Sequence, residues 1–319
     1  MHTDAPRQNV NGIDIEHWRD DVNATLPPGE VVIEAFACDP PESYIDAMRA
    51  AQSIWINLEY LSAEPWIESC HGMPSQRPDG LRKFFFFPGF TLATGGLLRE
   101  PGLSDERDAL QASWASQEDF LHSLGLSKSV LEARRSGAFL VSLFCYPHAP
   151  VDALIQGFQQ FERPTILLIP QGVAPGLNKV EALSYRVRLV RIPFVNQADF
   201  DRLLWCADLN FVRGEDSFVR AAWAGRPLVW QIYPQEDAHL DKLEAWLARY
   251  LAPPSAHALI RAWNQKEPEP VAKRLQEALS AAPWSAWRRS AWEWKREQAK
   301  RPDLAQNLVY FCTNQAKKR

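Results

Sequence analysis

No stretch of this 319-residue chain is apolar for long enough to span a bilayer, which excludes a transmembrane helix. The opening residues, MHTDAPRQNV, lack the apolar core of a signal peptide. Paired cysteines are also missing. Cys38, Cys70, Cys145, Cys206 and Cys312 are scattered, so neither a disulfide framework nor a zinc-ligand spacing is visible. Cys70-His71 is a possible ligand pair, but no second pair stands at the distance a zinc site needs. A basic excess is absent too: the net charge is −4, without the electrostatic footprint of a nucleic-acid binder. Together these absences lead us to expect a soluble, cytoplasmic protein that uses neither a membrane nor nucleic acid.

What is present is an ordinary globular balance, with 46% hydrophobic and 23% charged residues, in a chain long enough for two domains. Thirteen tryptophans and 24 prolines predict large aromatic packing and many ordered loops. Residues 1–29 are polar, with one short strand pattern at Gly12-Ile13-Asp14-Ile15. Residues 30–38, EVVIEAFAC, read as a buried strand, Asp39-Pro40-Pro41-Glu42 as the opening of a helix through Ala51 and 53–61, SIWINLEYL, as the next strand. Two strands joined by a helix predict a parallel α/β sheet. The phenylalanine run at 84–87 predicts another buried strand, between turns marked by Pro and Gly. Residues 104–135 are helical in pattern, with a break at 125–127. A second series follows, with strands expected at 138–145, 165–169, 187–193, 209–212 and 228–233, helices at 151–161, 198–206 and 237–250, and one more helix that follows Asp216-Ser217 and stops at Gly225. The domain boundary is expected near residue 136, dividing the chain into 1–135 and 136–319. The helical tail, 255–319, carries Trp263, Trp284, Trp287, Trp292 and Trp294. Either it packs back across the boundary or it completes the second domain.

The stretch 213–235, RGEDSFVRAAWAGRPLVWQIYPQ, joins strand, polar turn, helix and strand. Gly214 suits a tight turn, and Asp216 and Ser217 are good N-cap residues. Gly225-Arg226-Pro227 ends the helix, since glycine suits the position after the last turn and proline cannot continue it. Free N–H groups at such a helix start bind phosphate. The acids Glu215 and Asp216 beside them suit sugar hydroxyls, as the acid of a dinucleotide site does. The turn therefore reads as a nucleotide or nucleotide-sugar site, with an ordinary capped surface helix as the competing reading. Two α/β domains facing a cleft suit a GT-B glycosyltransferase, and other nucleotide-using enzymes as well.

Longer motifs are more specific. VVIEAFAC (31–38), WINLEYLSAE (55–64), CHGMPS (70–75), FFFFPGFT and ATGGLLRE (84–100), SLFCY (142–146) and the whole of 192–235 resemble the protein-arginine rhamnosyltransferases that modify translation elongation factor P, the EarP family. The resemblance runs over almost all of the chain. It implies a GT-B fold with two Rossmann-like domains, the amino-terminal one incomplete here. The implied reaction is an inverting transfer of rhamnose from dTDP-β-L-rhamnose to an arginine of elongation factor P, with the donor in the carboxyl-terminal domain and no further cofactor or metal.

Residue by residue, the resemblance places Arg213, Glu215, Asp216 and Ser217 on the family's donor motif. It places Phe194 and Gln197 beside the nucleotide and Tyr146 near the thymine. Phe194 and Tyr146 suit stacking on a pyrimidine, though each also suits core packing. Gln197 offers a donor and an acceptor. Ser217 suits the diphosphate, and Glu215 suits the sugar hydroxyls. Arg213 either neutralises the leaving diphosphate or braces Glu215 and Asp216.

The family's glycine-rich turn of DNYGDIG type, with the aspartate expected as general base, has no counterpart in this sequence. A first strand-helix-strand unit, about thirty residues or more, is therefore expected to be missing ahead of VVIEAFAC. Asp14, Glu34 and Glu59 are the acids of the early chain, and none is assigned as base. Two readings compete with the enzyme: a nucleotide-sugar or elongation-factor-binding protein without transfer activity, and a GT-B enzyme using another nucleotide sugar.

Overall fold

Apolar runs alternating with amphipathic segments build parallel sheets in both halves of the chain. A computed structural model describes residues 7–17, 26–75, 77–179, 186–234, 238–265 and 270–318. Gln235 and residue 237, at the end of the central stretch and the start of an expected helix, lie outside the described residues. The chain forms two units. One comprises Met1–Leu61, Trp66–Gly95 and Ala305–Arg319, and the other Ser62–Pro65 and Gly96–Leu304.

The first unit begins with an antiparallel hairpin, β1 (Arg7–Val10) and β2 (Ile13–Glu16). Its tight turn is Asn11-Gly12, both at positive φ as such hairpins require. Then come β3 (Val31–Ala35), α1 (Glu42–Ala51), β4 (Ile54–Leu58), α2 (Trp66–Cys70), β5 (Pro74–Ser75) and β6 (Lys83–Phe86). The sheet order is β3-β4-β6-β5, with β3, β4 and β6 parallel and β5 antiparallel at one edge. Helix α1 packs Ile45 and Met48 against Trp55 and Leu81.

Strand β3 differs from its expected reading as a buried strand. It is the other edge of the sheet, with Val31, Ile33 and Phe36 exposed. Its buried member is Glu34, and burying a carboxylate requires partners. Lys83 Nζ lies 2.5 Å from Glu34 Oε1, and Trp55 Nε1 donates to Oε2 at 3.0 Å.

The second unit opens with three helices, α3 (Leu103–Ala112), α4 (Trp114–Ser123) and α5 (Lys128–Arg135). It continues with β7 (Phe139–Leu143), α6 (Val151–Gln160), β8 (Thr165–Pro170), β9 (Val187–Ile192), α7 (Gln197–Cys206), β10 (Leu209–Arg213), α8 (Asp216–Ala224) and β11 (Leu228–Gln231). Helices α9 (Ala238–Arg249), α10 (Pro254–Asn264), α11 (Val271–Leu279) and α12 (Ala281–Ala299) complete it, and α13 (Leu304–Ala316) runs into the first unit. The sheet is wholly parallel, in the order β11-β10-β7-β8-β9. The chain starts at the central β7, winds outward through β8 and β9, then returns to β10 and β11 on the other side. Strand order therefore reverses between β7 and β10, the switch point at which open α/β sheets bind ligands.

The division falls between Gly95 and Gly96, and not near residue 136. Helices α3–α5 belong with the second sheet because they complete it. Leu121, Leu124, Val130 and Leu131 join Leu140, Ile166, Leu168 and Leu203 in one core. Polar side chains of α3 also satisfy carbonyls at the ends of α7 and α8, which have no partner within their own helices. Arg107 Nη1 donates to Trp223 O at 2.8 Å, and Gln111 Nε2 to Ala224 O at 3.0 Å. Of the two readings of the tail, completion of the second domain describes α10–α12. Trp287 Nε1 donates to Tyr250 Oη at 3.0 Å, and Trp284 meets Phe139 edge-on at 5.2 Å. Only α13 belongs to the first unit, where Phe311 packs edge-on against Phe84 and Phe86.

Helices α6 and α11 pack closely at Gly157 on α6. A Cβ there would stand 2.8 Å from Leu275 Cδ2 and 3.1 Å from Ala272 Cα on α11. Gly157→Ala would gain about 1 kcal/mol of helix propensity. Overpacking against a helix backbone costs about 1–3 kcal/mol. The substitution is expected to lower the thermal midpoint, and a raised midpoint in calorimetry would show that α11 yields freely.

Candidate functional site

A pocket of about 460 Å³ opens at the carboxyl ends of the second sheet's strands. Tyr146, Phe194, Gln197, Arg213, Glu215, Asp216 and Ser217 all line it. Parallel topology explains the gathering, because every strand delivers its following loop to the same edge. Tyr146 follows β7, Phe194 follows β9 and precedes α7, and Arg213 ends β10 just before the turn into α8.

The turn after β10 is built as its glycine predicts. Gly214 has φ +62°, and a Cβ there would meet Tyr146 Oη at 3.1 Å. Strand β11 holds the turn from outside: Trp230 Nε1 donates to Gly214 O at 2.7 Å, and Gly214 N donates to Gln231 O at 3.0 Å. The N-cap of α8 is Glu215, in place of the expected Asp216 or Ser217, and no side chain caps the helix. The hydroxyl of Ser217 turns back instead. It accepts from Arg213 N at 3.0 Å and donates to Arg213 O. That hydroxyl therefore closes the turn, and the donors α8 offers to an anion are backbone N–H groups.

The aromatic candidates separate by exposure. Phe194 is 65% exposed and touches Phe144 edge-on at 6.5 Å, which rules out core packing for this ring. Tyr146 is half-buried. The Arg213 guanidinium lies 4.8 Å from its ring centre and 4.4 Å from that of Phe144, and His148 lies parallel to Tyr146 at 5.8 Å. Phe194 is thus the ring with an open face, and Tyr146 forms part of an aromatic bed under Arg213. Burial raises the Tyr146 phenol above its usual range, so it remains protonated.

Arg220, Phe144 and Phe200 also line the pocket without having been singled out in the sequence. Arg220 was legible in principle, since it stands one helical turn beyond Asp216 and shares its face. Its side chain is 4% exposed. Glu100 accepts from both Nη1 and Nη2, the latter at 2.7 Å, and Asp201 Oδ1 lies 3.1 Å from Nε. The Gln197 amide, with its oxygen toward the guanidinium, accepts from Nε and Nη2 at 2.5 and 3.1 Å. Burial pushes Asp201 up to about 6, against the opposing pull of Arg220. Burial also tends to raise Glu100, but its hydrogen bonds from Arg220 leave it below the usual range.

The early acids are engaged elsewhere. Glu34 is buried with Lys83 and Trp55, Glu59 Oε1 accepts from Asn57 Nδ2 at 2.6 Å, and Asp14 accepts from Asn9 within the first hairpin. His71 accepts the Phe87 N–H through Nδ1 at 3.0 Å, which occupies one ligating atom of the Cys70-His71 pair.

Comparison with known proteins identifies the family. Residues 1–313 match the profile of the family described as Elongation-Factor P (EF-P) rhamnosyltransferase EarP. This chain belongs to the EarP family. A protein-arginine rhamnosyltransferase of Pseudomonas putida is 45% identical over 97% of this chain and 85% of its own length. One from Neisseria meningitidis is 36% identical over 96% of this chain and 82% of its own. A solved structure explaining EarP-mediated arginine glycosylation of translation elongation factor EF-P matches with a TM-score of 0.61 at 32% identity. It covers 89% of this chain and 99% of that one. The fold is accordingly the GT-B glycosyltransferase type, built on parallel α/β sheets. Among the described residues, no helix is long and apolar enough to cross a membrane.

Asp201 makes the site's stability depend on pH. The folded state holds this proton more tightly than the unfolded chain does. The group's contribution therefore favours folding most at low pH and is lost as pH rises from near 4 through about 6. Asp201→Asn keeps the polar contact without the charge. Relative to wild type, its urea midpoint is expected to rise between about pH 4.5 and about pH 7. A difference independent of pH would show that Asp201 titrates normally.

Proposed function

We propose that this protein transfers rhamnose from dTDP-β-L-rhamnose to an arginine side chain of translation elongation factor P, with inversion, in the cytoplasm. The observation that carries the reading is that every donor-site residue suggested by the family motifs lines one pocket at the sheet's switch point. The exposed face of Phe194 stacks on the thymine, and Gln197 hydrogen-bonds its edge. The uncapped first turn of α8 binds the diphosphate through backbone N–H groups and the helix dipole. Arg213, held over Phe144 and Tyr146, offsets the charge that builds on the leaving diphosphate. Glu215 accepts from the sugar hydroxyls.

The acceptor guanidinium is protonated at neutral pH, with a pKa above about 12, and its lone pair is delocalised. A positioned base is therefore needed, worth typically ~10²–10⁴ in rate. Glu34, Glu59 and Asp14 are held by other partners, so we assign none of them that role. This engagement favours a second reading for residues 1–319 on their own, namely donor binding with slow transfer. Purified protein, dTDP-rhamnose and elongation factor P, followed by intact mass, decides between the two. Gain of one deoxyhexose on the elongation factor supports transfer. Binding of dTDP with no mass gain supports the second reading, and absence of dTDP binding refutes both.

Phe194→Ala is expected to weaken dTDP binding by ~1–3 kcal/mol, the usual worth of base–aromatic stacking, while leaving the thermal midpoint unchanged. An equal loss for dTDP and inorganic diphosphate in calorimetry would count against stacking.

A further inference from the structure

Arg220 stands out because a buried guanidinium is costly unless fully paired, and this one is paired on three sides. Glu100 grips its Nη1 and Nη2 ends, and Asp201 approaches Nε. The remaining acceptor is the amide oxygen of Gln197, a residue of the pocket wall. A guanidinium has only donors, so an amide beside it must turn its oxygen inward; the reverse orientation sets NH2 against N–H. Helix α7 restrains Gln197 further. It is the first residue of that helix, and Asn196 caps the helix by accepting from Asp199 N at 2.9 Å.

An amide free to turn could meet either a donor or an acceptor on a base. With its oxygen committed to Arg220, Gln197 offers a ligand its NH2 group alone. Thymine presents the O4 acceptor where cytosine presents the N4 amino donor. Amino facing amino sets two donors against each other in place of a hydrogen bond.

We infer that Arg220 is a positioning residue that sets nucleotide specificity: by fixing the Gln197 amide, it makes the pocket select pyrimidines with a carbonyl at C4 and reject cytosine. This rests on the reading of the pocket as a nucleoside-diphosphate site in which Gln197 faces the base at C4, since the O2 and N3 acceptors of cytosine would accept from the same NH2 group. Arg220 acts through Gln197 and not on the reacting atoms. The methyl of thymine plays no part in this selection, so dUDP satisfies it as dTDP does.

The test is calorimetry with dTDP, dUDP and dCDP on the full chain. Wild type is expected to prefer dTDP and dUDP over dCDP by about tenfold or more, the effect of one unmatched polar contact. Arg220→Lys keeps a cation between Glu100 and Asp201 but loses the planar fork. Its preference is expected to shrink to a few-fold or less, with inorganic diphosphate affinity unchanged. Gln197→Glu replaces the NH2 donor with an acceptor, and the preference is expected to shift toward dCDP. This second variant decides the matter if Arg220→Lys does not fold. Equal wild-type affinity for dTDP and dCDP overturns the inference while leaving the nucleotide site standing. Undiminished selectivity in folded Arg220→Lys, or in Gln197→Glu, overturns it too. Failure of wild type to bind any of the three nucleotides overturns the donor-site reading and the inference with it.

Discussion

The left-handed turn at Gly214 is the constraint on which the pocket of the second unit depends. A side chain at that φ would cost about 1–2 kcal/mol in backbone strain, and here it would also press on the Tyr146 hydroxyl. Without the turn, β10 could not pass into α8 within two residues. The turn is held on both sides, by Trp230 and Gln231 from β11 and by the Ser217 hydroxyl from within. Its consequence is electrostatic. The start of α8 is aimed at the pocket, and Glu215, Asp216 and Arg213 are fixed around its rim.

Two buried ionic groups show how differently the units use charge. In the first unit, Glu34 and Lys83 pair across the sheet, with the Lys83 ammonium 4.6 Å from the Trp55 ring centre. In the second, Arg220 serves Glu100, Asp201 and the Gln197 amide together. A lysine is a point charge and can satisfy one such cluster. Arginine's rigid fork fixes several partners at once, which suits a pocket wall whose polar groups must keep one orientation.

Much of this was legible in the sequence. The β–α–β rhythm, the turn at Gly214, the end of α8 at Gly225 and the family motifs all depend on local chemistry that a linear reading captures. Strand β3 was misread because an apolar run suggests burial, whereas only its place at the sheet edge reveals that Val31 and Ile33 face outward and Glu34 inward. The boundary was misplaced because α3–α5 look like the end of one domain in chain order. Their assignment is decided by Arg107 and Gln111 reaching carbonyls more than a hundred residues away.

The sequence by itself determined the family, the element order and the motif residues that come to line one pocket, because motif identity and hydrophobic period are local properties. Only the tertiary structure decided what those residues do there. It turned the Ser217 hydroxyl back on Arg213, covered Tyr146 with Arg213 and His148, and left Phe194 open. It also brought Arg220 against Gln197, two residues on different helices. Hydrogen-bond partners and exposed ring faces depend on neighbours distant in the chain, and folding alone places those neighbours.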